Sequence, residues 1–424
     1  MRLPSDTSPF GLERRFPTVD EIGFRELYDK SEYEAETEDG WTLGITRYRP
    51  RQQGFPQPLW MQPLLLVHGF SQNRHAWTSG EFVKNLLYFG ADIHILELRG
   101  HGKSSIRRQR EVAKATGRPL PGDLHYGWDV DSYFVHDVPT GIAAVKRQTG
   151  RAKIFYCGHS MGGMLGYGYA GQHDDLAGLI TIGSAAELGR GLRMLRALCW
   201  AEPMLQRLAD AGVGLHNLRS RLGERAMRLR AQLQMRRGQA VVDEAPRDTE
   251  ASFEMPYVPM EALYQGIDWL MEAAEQGSVW KPASRGFNLL SNPSRSEAER
   301  LRWLLRNGGE REPRRVLSQF ARWIRHDEMK CYRTGYDFKE GYANIRIPTA
   351  IIFGDLDPLA TLDSTRRVYH DAQSQYLLWR PVKGNSHIEL TMGHDIRQIC
   401  YDIKNLMEYA CAREQRPPSL PRIR

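Results

Sequence analysis

Three side chains in this 424-residue sequence have the types and settings for nucleophilic catalysis. Ser160 stands in GHSMGG (158 to 163), Asp357 in FGDLDP (353 to 358) and His387 in NSHIEL (385 to 390). The first segment satisfies G-x-S-x-G directly after an apolar strand and directly before a helical stretch. That context marks a sharp strand-to-helix turn lifting a serine hydroxyl clear of a sheet. Glycine is required around such a turn because side chains there would collide with neighbouring elements. An ordinary turn with a serine cap would explain Ser160 alone, but not the two partners downstream.

Serine at its free pKa is a poor nucleophile, so a base must reach its hydroxyl and a third group must orient that base. His387 follows the last strand and is the base. Asp355 and Asp357 both follow an earlier strand and compete for the third place. Asp357 is preferred because it stands farther into the loop, before Pro358, leaving Asp355 to shape the turn. The resulting chain order is Ser, Asp, His. His68-Gly69-Phe70 ends another strand, so the N–H groups of Phe70 and Met161 are the expected oxyanion hole. His68, His101 and His159 are read as structural residues, since the triad already has its base.

Other chemistries fit less well. Gly102-Lys103-Ser104 resembles the end of a phosphate-binding loop, but that motif needs glycine where this chain has Glu97. A carboxylate or thiolate nucleophile would require Asp or Cys at position 160, and Cys157 lies on the strand. Cys157, Cys199, Cys331, Cys400 and Cys411 form no CxxC pair, and no His cluster has metal-ligand spacing. No metal or cofactor is expected, and the cysteines read as reduced thiols of an intracellular protein.

The elements that must hold these residues alternate along the chain. YEAETEDGWTLGITRYRP (33 to 50) reads as two antiparallel strands around Asp39-Gly40. Short apolar strands at 63–70, 91–98, 152–157 and 176–183 alternate with helices near 80–89, up to Gln148 and from Ser160. TAIIFG (349 to 354) and YLLWRPV (376 to 382) resume the pattern, with helices near 361–370 and 396–410. This predicts an α/β fold with a mostly parallel sheet buried on both faces. Between them, about 155 residues of helical periodicity interrupt the core. The expected organisation is an N-terminal extension (1–30), core (31–188), helical cap (189–346), core again (347–411) and polar tail (412–424).

Hydrophobic residues are 41% and charged residues 26% of the chain, as in an ordinary globular protein. The net charge of +7 is not a nucleic-acid signal, because residues 190–237 alone hold eleven Arg against three acidic residues. There, LHNLRSRLGERAMRLRAQLQMRR (215 to 237) places Leu215, Leu218, Leu222, Leu229 and Leu233 on one helical face, with Arg219, Arg221, Arg225, Arg228, Arg230, Arg236 and Arg237 mostly around the rest. Packing of the Leu stripe within the cap is the first reading, and contact with an anionic membrane surface or an acidic substrate group the second. Trp269, Trp280, Trp303 and Trp323 suit either cap core or an acyl pocket. The start of the chain has no apolar signal run and no window approaches a membrane span, so a cytoplasmic location, with peripheral membrane association as the variant, is expected.

The elbow with Asp and His in order resembles the α/β-hydrolase superfamily over 35–188 and 347–410. YEAETEDGWTLGITR (33 to 47), HGFSQNRHAW (68 to 77) and HDVPTGIAAVKRQTG followed by KIFYCGHSMGG (136 to 163) look like the corresponding blocks of the gastric and lysosomal acid lipases. That group usually has Gln after the nucleophile, where this chain has Met161. The resemblance implies hydrolysis of carboxylic esters with long acyl chains through an acyl-enzyme, with Ser160, Asp357 and His387 as triad. The expected substrate is a small-molecule or lipid ester. The alternative is an acyltransferase using the same triad with an alcohol or thiol acceptor. A non-catalytic binding module fits an intact triad less well, and an amidase or peptidase is chemically open.

Overall fold

The computed structural model describes residues 17–191, 256–260, 264–269 and 290–414. The first two strands, β1 (Tyr28–Glu36) and β2 (Thr42–Pro50), pair antiparallel around the Asp39-Gly40 turn, where Gly40 takes φ +90°. A positive φ of this kind costs glycine nothing, which is why the dipeptide closes a tight hairpin. β3 (Pro63–Val67), β4 (Asp92–Leu96), β5 (Ile154–His159) and β6 (Leu176–Ile182) follow. β7 (Tyr257–Val258) and β8 (Glu312–Pro313) form a separate two-stranded ribbon, and β9 (Thr349–Gly354) and β10 (Leu377–Val382) complete the main sheet. Its order is β1-β2-β4-β3-β5-β6-β9-β10, parallel from β4 to β10.

Side chains alternate across a strand, so each inner strand supplies two cores. Leu65 and Val67 of β3 join one buried cluster with Val138, Ile142 and Leu165, whereas Leu64 and Leu66 join another with Phe82, Leu86, Ile399 and Ile403. Helices Val138–Thr149 and Met161–Ala170 cover the first face; Phe82–Tyr88 and Ile396–Glu414 cover the second. Each fully buried Leu or Ile contributes roughly 1.5–3 kcal/mol relative to exposure, and every residue of β3, β4, β5 and β9 is buried. The expected mostly parallel sheet flanked by helices is the fold observed. Its two outer strands differ from the inner ones. β1 carries the exposed Asp29, Lys30, Ser31 and Glu32, while β10 holds Pro381 and binds Arg380 to Asp402 of the last helix at 2.9 and 3.0 Å.

Some boundaries move. β1 begins at Tyr28, ahead of the strand read from 33, and the last helix continues to Glu414, into the stretch read as tail. The region after 189 is not wholly helical, because β7 and β8 lie inside it. A two-residue strand shows no periodicity, so nothing in the sequence announced them. Helices Ala298–Asn307 and Arg314–His326 do match the helical reading. Trp323, Phe338 and Tyr342 are fully buried in the same cluster as β3 and β5, so this region packs into the sheet's own core. Trp303 and Trp269 are exposed instead. The Arg-rich helix of 215–237 and Trp280 lie outside the described residues. Among the described residues, no helix is long and apolar enough to cross a membrane.

The turn after β4 is fixed by Arg99, which is wholly buried and bound to Asp137, Asp39 and Asp123. A buried guanidinium is tolerable only when its charge is matched in this way. This turn carries His101 towards the C-terminal ends of the parallel strands.

Candidate active site

β5 delivers Ser160 at its C-terminal end, where the backbone takes φ +52° and ψ −118° before the Met161–Ala170 helix begins. Such a conformation costs a non-glycine residue on the order of 1–3 kcal/mol and persists only when its surroundings enforce it. They do so on both sides: the Ser160 N–H donates to Ile182 O at 2.8 Å, and Ser160 O accepts from Gly163 and Met164. The turn is tight enough to exclude side chains. A Cβ on Gly158 would lie 2.3 Å from the Gly162 carbonyl carbon, and one on Gly162 would lie 2.4 Å from Val67 O.

His387 and Asp357 meet over the end of the neighbouring strands. His387 Nδ1 lies 2.7 Å from Asp357 Oδ2, and a Cβ on Gly183, at the end of β6, would lie 3.2 Å from that Nδ1 and 3.3 Å from that Oδ2. Asp357 is buried, and its other oxygen accepts the N–H groups of Leu359 and Ala360 at 2.8 and 3.0 Å. With Nδ1 donating to a carboxylate, Nε2 is the ring nitrogen left to take up a proton. Burial disfavours the imidazolium, but the charge and hydrogen bond of Asp357, helped by Glu389, outweigh it and hold the His387 pKa above its ordinary value. Asp355 is exposed and instead accepts the Gly384 N–H at 2.6 Å, tying the loop after β9 to the turn after β10.

The loop after β3 runs against Ser160, since a Cβ on Gly69 would lie 2.9 Å from Ser160 Cβ. Its N–H groups are almost all engaged. Gly69 donates to Gln72 Oε1 at 3.0 Å, Ser71 to Glu312 Oε1 at 2.8 Å and Gln72 to Gly69 O at 3.3 Å. The Phe70 N–H has no acceptor among the described residues, and neither has that of Met161 at the first position of its helix. Two such N–H groups beside a serine form a site for a developing negative charge. Above them the Phe70 ring packs on Phe320 of the Arg314–His326 helix, at 5.8 Å between centroids. Ser160 is 8% and His387 7% exposed, so the site is nearly closed to solvent.

His68, His101 and His159 are buried and bound. His68 accepts the Leu98 N–H on Nε2 and contacts Gly69 O through Nδ1, so it is neutral; burial and the nearby His101 hold its pKa well below the usual range. His159 contacts Gln72 Oε1 at 3.0 Å and His387 O at 3.3 Å, and burial followed by the charge of His387 pushes it down to about 3. Sequence reading gave no place to Gln72, Glu312 or Glu389. Glu389 is buried, accepts the Ser386 N–H at 3.2 Å and that of Asn292, and so braces the loop carrying His387. The contacts of Glu312 with Ser71, of Gln72 with His159 and of Glu389 with Asn292 join residues far apart in the chain, and no local pattern marks them.

Residues 62–208 match the alpha/beta hydrolase fold family model. Human lipase member M is 27% identical over 189 residues, 43% of this chain and 40% of that protein. Tear acid lipase-like protein of Mesocricetus auratus is 24% identical over 155 residues, 37% of this chain and 38% of that protein. The chain thus spans about two-fifths of the length of these relatives. Among solved structures, a peroxisomal alpha-beta-hydrolase of Saccharomyces cerevisiae aligns with a TM-score of 0.49 and 13% identity, over 94% of this chain and 93% of its own. A thermophilic esterase of Thermogutta terrifontis aligns with a TM-score of 0.47 and 15% identity, over 90% and 99%.

Proposed function

We propose that this chain, which has the α/β-hydrolase fold and is similar over part of its length to acid lipases, hydrolyses carboxylic esters through an acyl-enzyme on Ser160. The observation carrying the reading is the 2.7 Å contact of His387 with Asp357 beside a serine held at φ +52° on the adjoining strand end. Ser160 Oγ attacks the ester carbonyl carbon as its proton passes to His387 Nε2. The oxyanion of the tetrahedral intermediate accepts from the Phe70 and Met161 N–H groups. Collapse breaks the C–O bond and expels the alcohol, which takes the proton from His387. Water then attacks the acyl-enzyme, with His387 again taking the proton, and the acid leaves with Ser160 restored. Asp357 keeps the imidazole in its working tautomer throughout.

Labelling by a fluorophosphonate and turnover of p-nitrophenyl esters of rising chain length test the proposal. Labelling that disappears in Ser160→Ala, with turnover of at least one chain length, is the expected result. A folded protein that neither labels nor turns over any ester sinks it. Adding alcohols to the same assay separates the acids released by hydrolysis from new esters formed by transfer.

Gly183→Ala tests the packing beneath the dyad. A side chain at φ +58° costs about 1–2 kcal/mol, and here the methyl group would press on His387 and Asp357. Both a lower denaturation midpoint and a lower kcat are expected. An unchanged kcat in a destabilised protein would mean that the dyad tolerates displacement.

A further inference from the structure

Both backbone groups of Ser71, the residue after Phe70, are held by a single segment from the region between β6 and β9. The Glu310 N–H donates to Ser71 O at 2.9 Å, and the Ser71 N–H donates to Glu312 Oε1 at 2.8 Å. Ser71 sits at φ +53°, a conformation that needs such enforcement. The segment is itself anchored: Glu310 Oε1 accepts from Asn73 Nδ2 at 2.8 Å and from the Gly102 N–H at 3.1 Å.

Glu312 is fully buried, and each of its oxygens is used. Oε1 also faces His101 Nε2 at 3.1 Å, and Oε2 accepts from the Tyr133 hydroxyl at 3.0 Å. His101 contacts the Arg99 carbonyl through Nδ1 at 2.8 Å, so both ring nitrogens face acceptors, as an imidazolium requires. Burial opposes that charge, but Glu312 and then Glu310 raise the His101 pKa to about 9. An ion pair sealed beneath the loop therefore supports Ser71.

We propose that Glu312 is a positioning residue for the oxyanion hole: reaching from the inserted region, its carboxylate fixes Ser71 and thereby aims the Phe70 N–H. The assignment rests on the ester-hydrolase reading of the site. Its consequence is that catalytic competence depends on the inserted segment being seated, since the core alone leaves Ser71 without its acceptor. Glu312 makes no contact with reacting atoms, so its loss acts on the transition state and leaves ground-state binding nearly unchanged.

The test compares wild type, Glu312→Gln and Glu312→Ala in p-nitrophenyl ester turnover, inhibition by phenylboronic acid and thermal melting. Boronate adds to the serine and places an oxygen where the oxyanion forms. Removing a hole donor outright costs roughly 10²- to 10³-fold, so misaiming one is expected to lower kcat about 10- to 100-fold in Glu312→Ala. KM should stay within about threefold, and the phenylboronic acid Ki should rise by the same factor as kcat falls. Gln keeps an acceptor for Ser71 and should recover part of the loss. If the Ala variant does not fold, Glu312→Met, which fills the same space without an acceptor for Ser71, decides in its place. A matched change in kcat and Ki supports the assignment, and wild-type kcat and Ki overturn it, as does a raised KM at constant kcat. A wild-type protein that neither labels with fluorophosphonate nor turns over any ester overturns the ester reading first, and this assignment with it.

Discussion

His387→Ala is expected to lower kcat for a p-nitrophenyl ester by about 10⁶-fold, as much as Ser160→Ala, with the double variant hardly slower than either. The equality follows from how the groups act. Without a base at Nε2 the Ser160 hydroxyl keeps its proton and attacks no faster than an ordinary alcohol. Without Ser160 the base has nothing to activate, so each loss removes the whole covalent route. What remains is the effect of binding and of the Phe70 and Met161 N–H groups. Turnover of all three variants, read against circular dichroism to establish folding, checks the expectation. If His387→Ala keeps more than a hundredth of wild-type kcat, the base is another group.

Asp357→Asn is the next largest effect, about 10⁴-fold in kcat, whereas Asp355→Asn should stay within tenfold. Asp357 can only accept from His387 Nδ1. An amide in its place can donate there, which moves the ring proton to Nε2 and disables the base. The Asp355 carboxylate accepts the Gly384 N–H and, among the described residues, makes no contact with His387, so its loss loosens a turn. The pH profile gives a second reading. Attack needs neutral His387, whose pKa lies above the ordinary value, so kcat/KM should climb with pH through a limb above about 6.5. In Asp357→Asn the larger of the charges that raise this pKa is gone and burial is opposed only by Glu389, so the residual activity should show its limb at lower pH. A limb that stays put, or a dead Asp355→Asn, would reverse the roles of the two aspartates.

What could be read in the sequence was whatever is written locally. The Ser160 turn was legible because strand, glycines and helix succeed one another within a dozen residues, and His387 and the two aspartates because each follows an apolar strand. The same locality explains the alternating elements of the sheet. Glu312 was illegible because its partners Ser71, His101 and Tyr133 lie roughly 180 to 240 positions away. Asp355 and Asp357 are two residues apart in one loop. Only the folded turn shows one buried against His387 and the other in solvent bonded to Gly384. The two-residue strands β7 and β8 were invisible because a period needs several residues to show.

The outer strands bear on what this protein does in company. An open sheet margin is a template on which another chain can add a strand, and proteins blunt such margins with charge and proline. β1 presents Asp29, Lys30 and Glu32 outward, and Pro381 removes a donor from β10. A second molecule arriving at either margin meets ionic side chains on one and a missing N–H on the other. Self-association, should a crowded solution bring it about, is thereby steered away from continuous sheet, the route that leads to fibres.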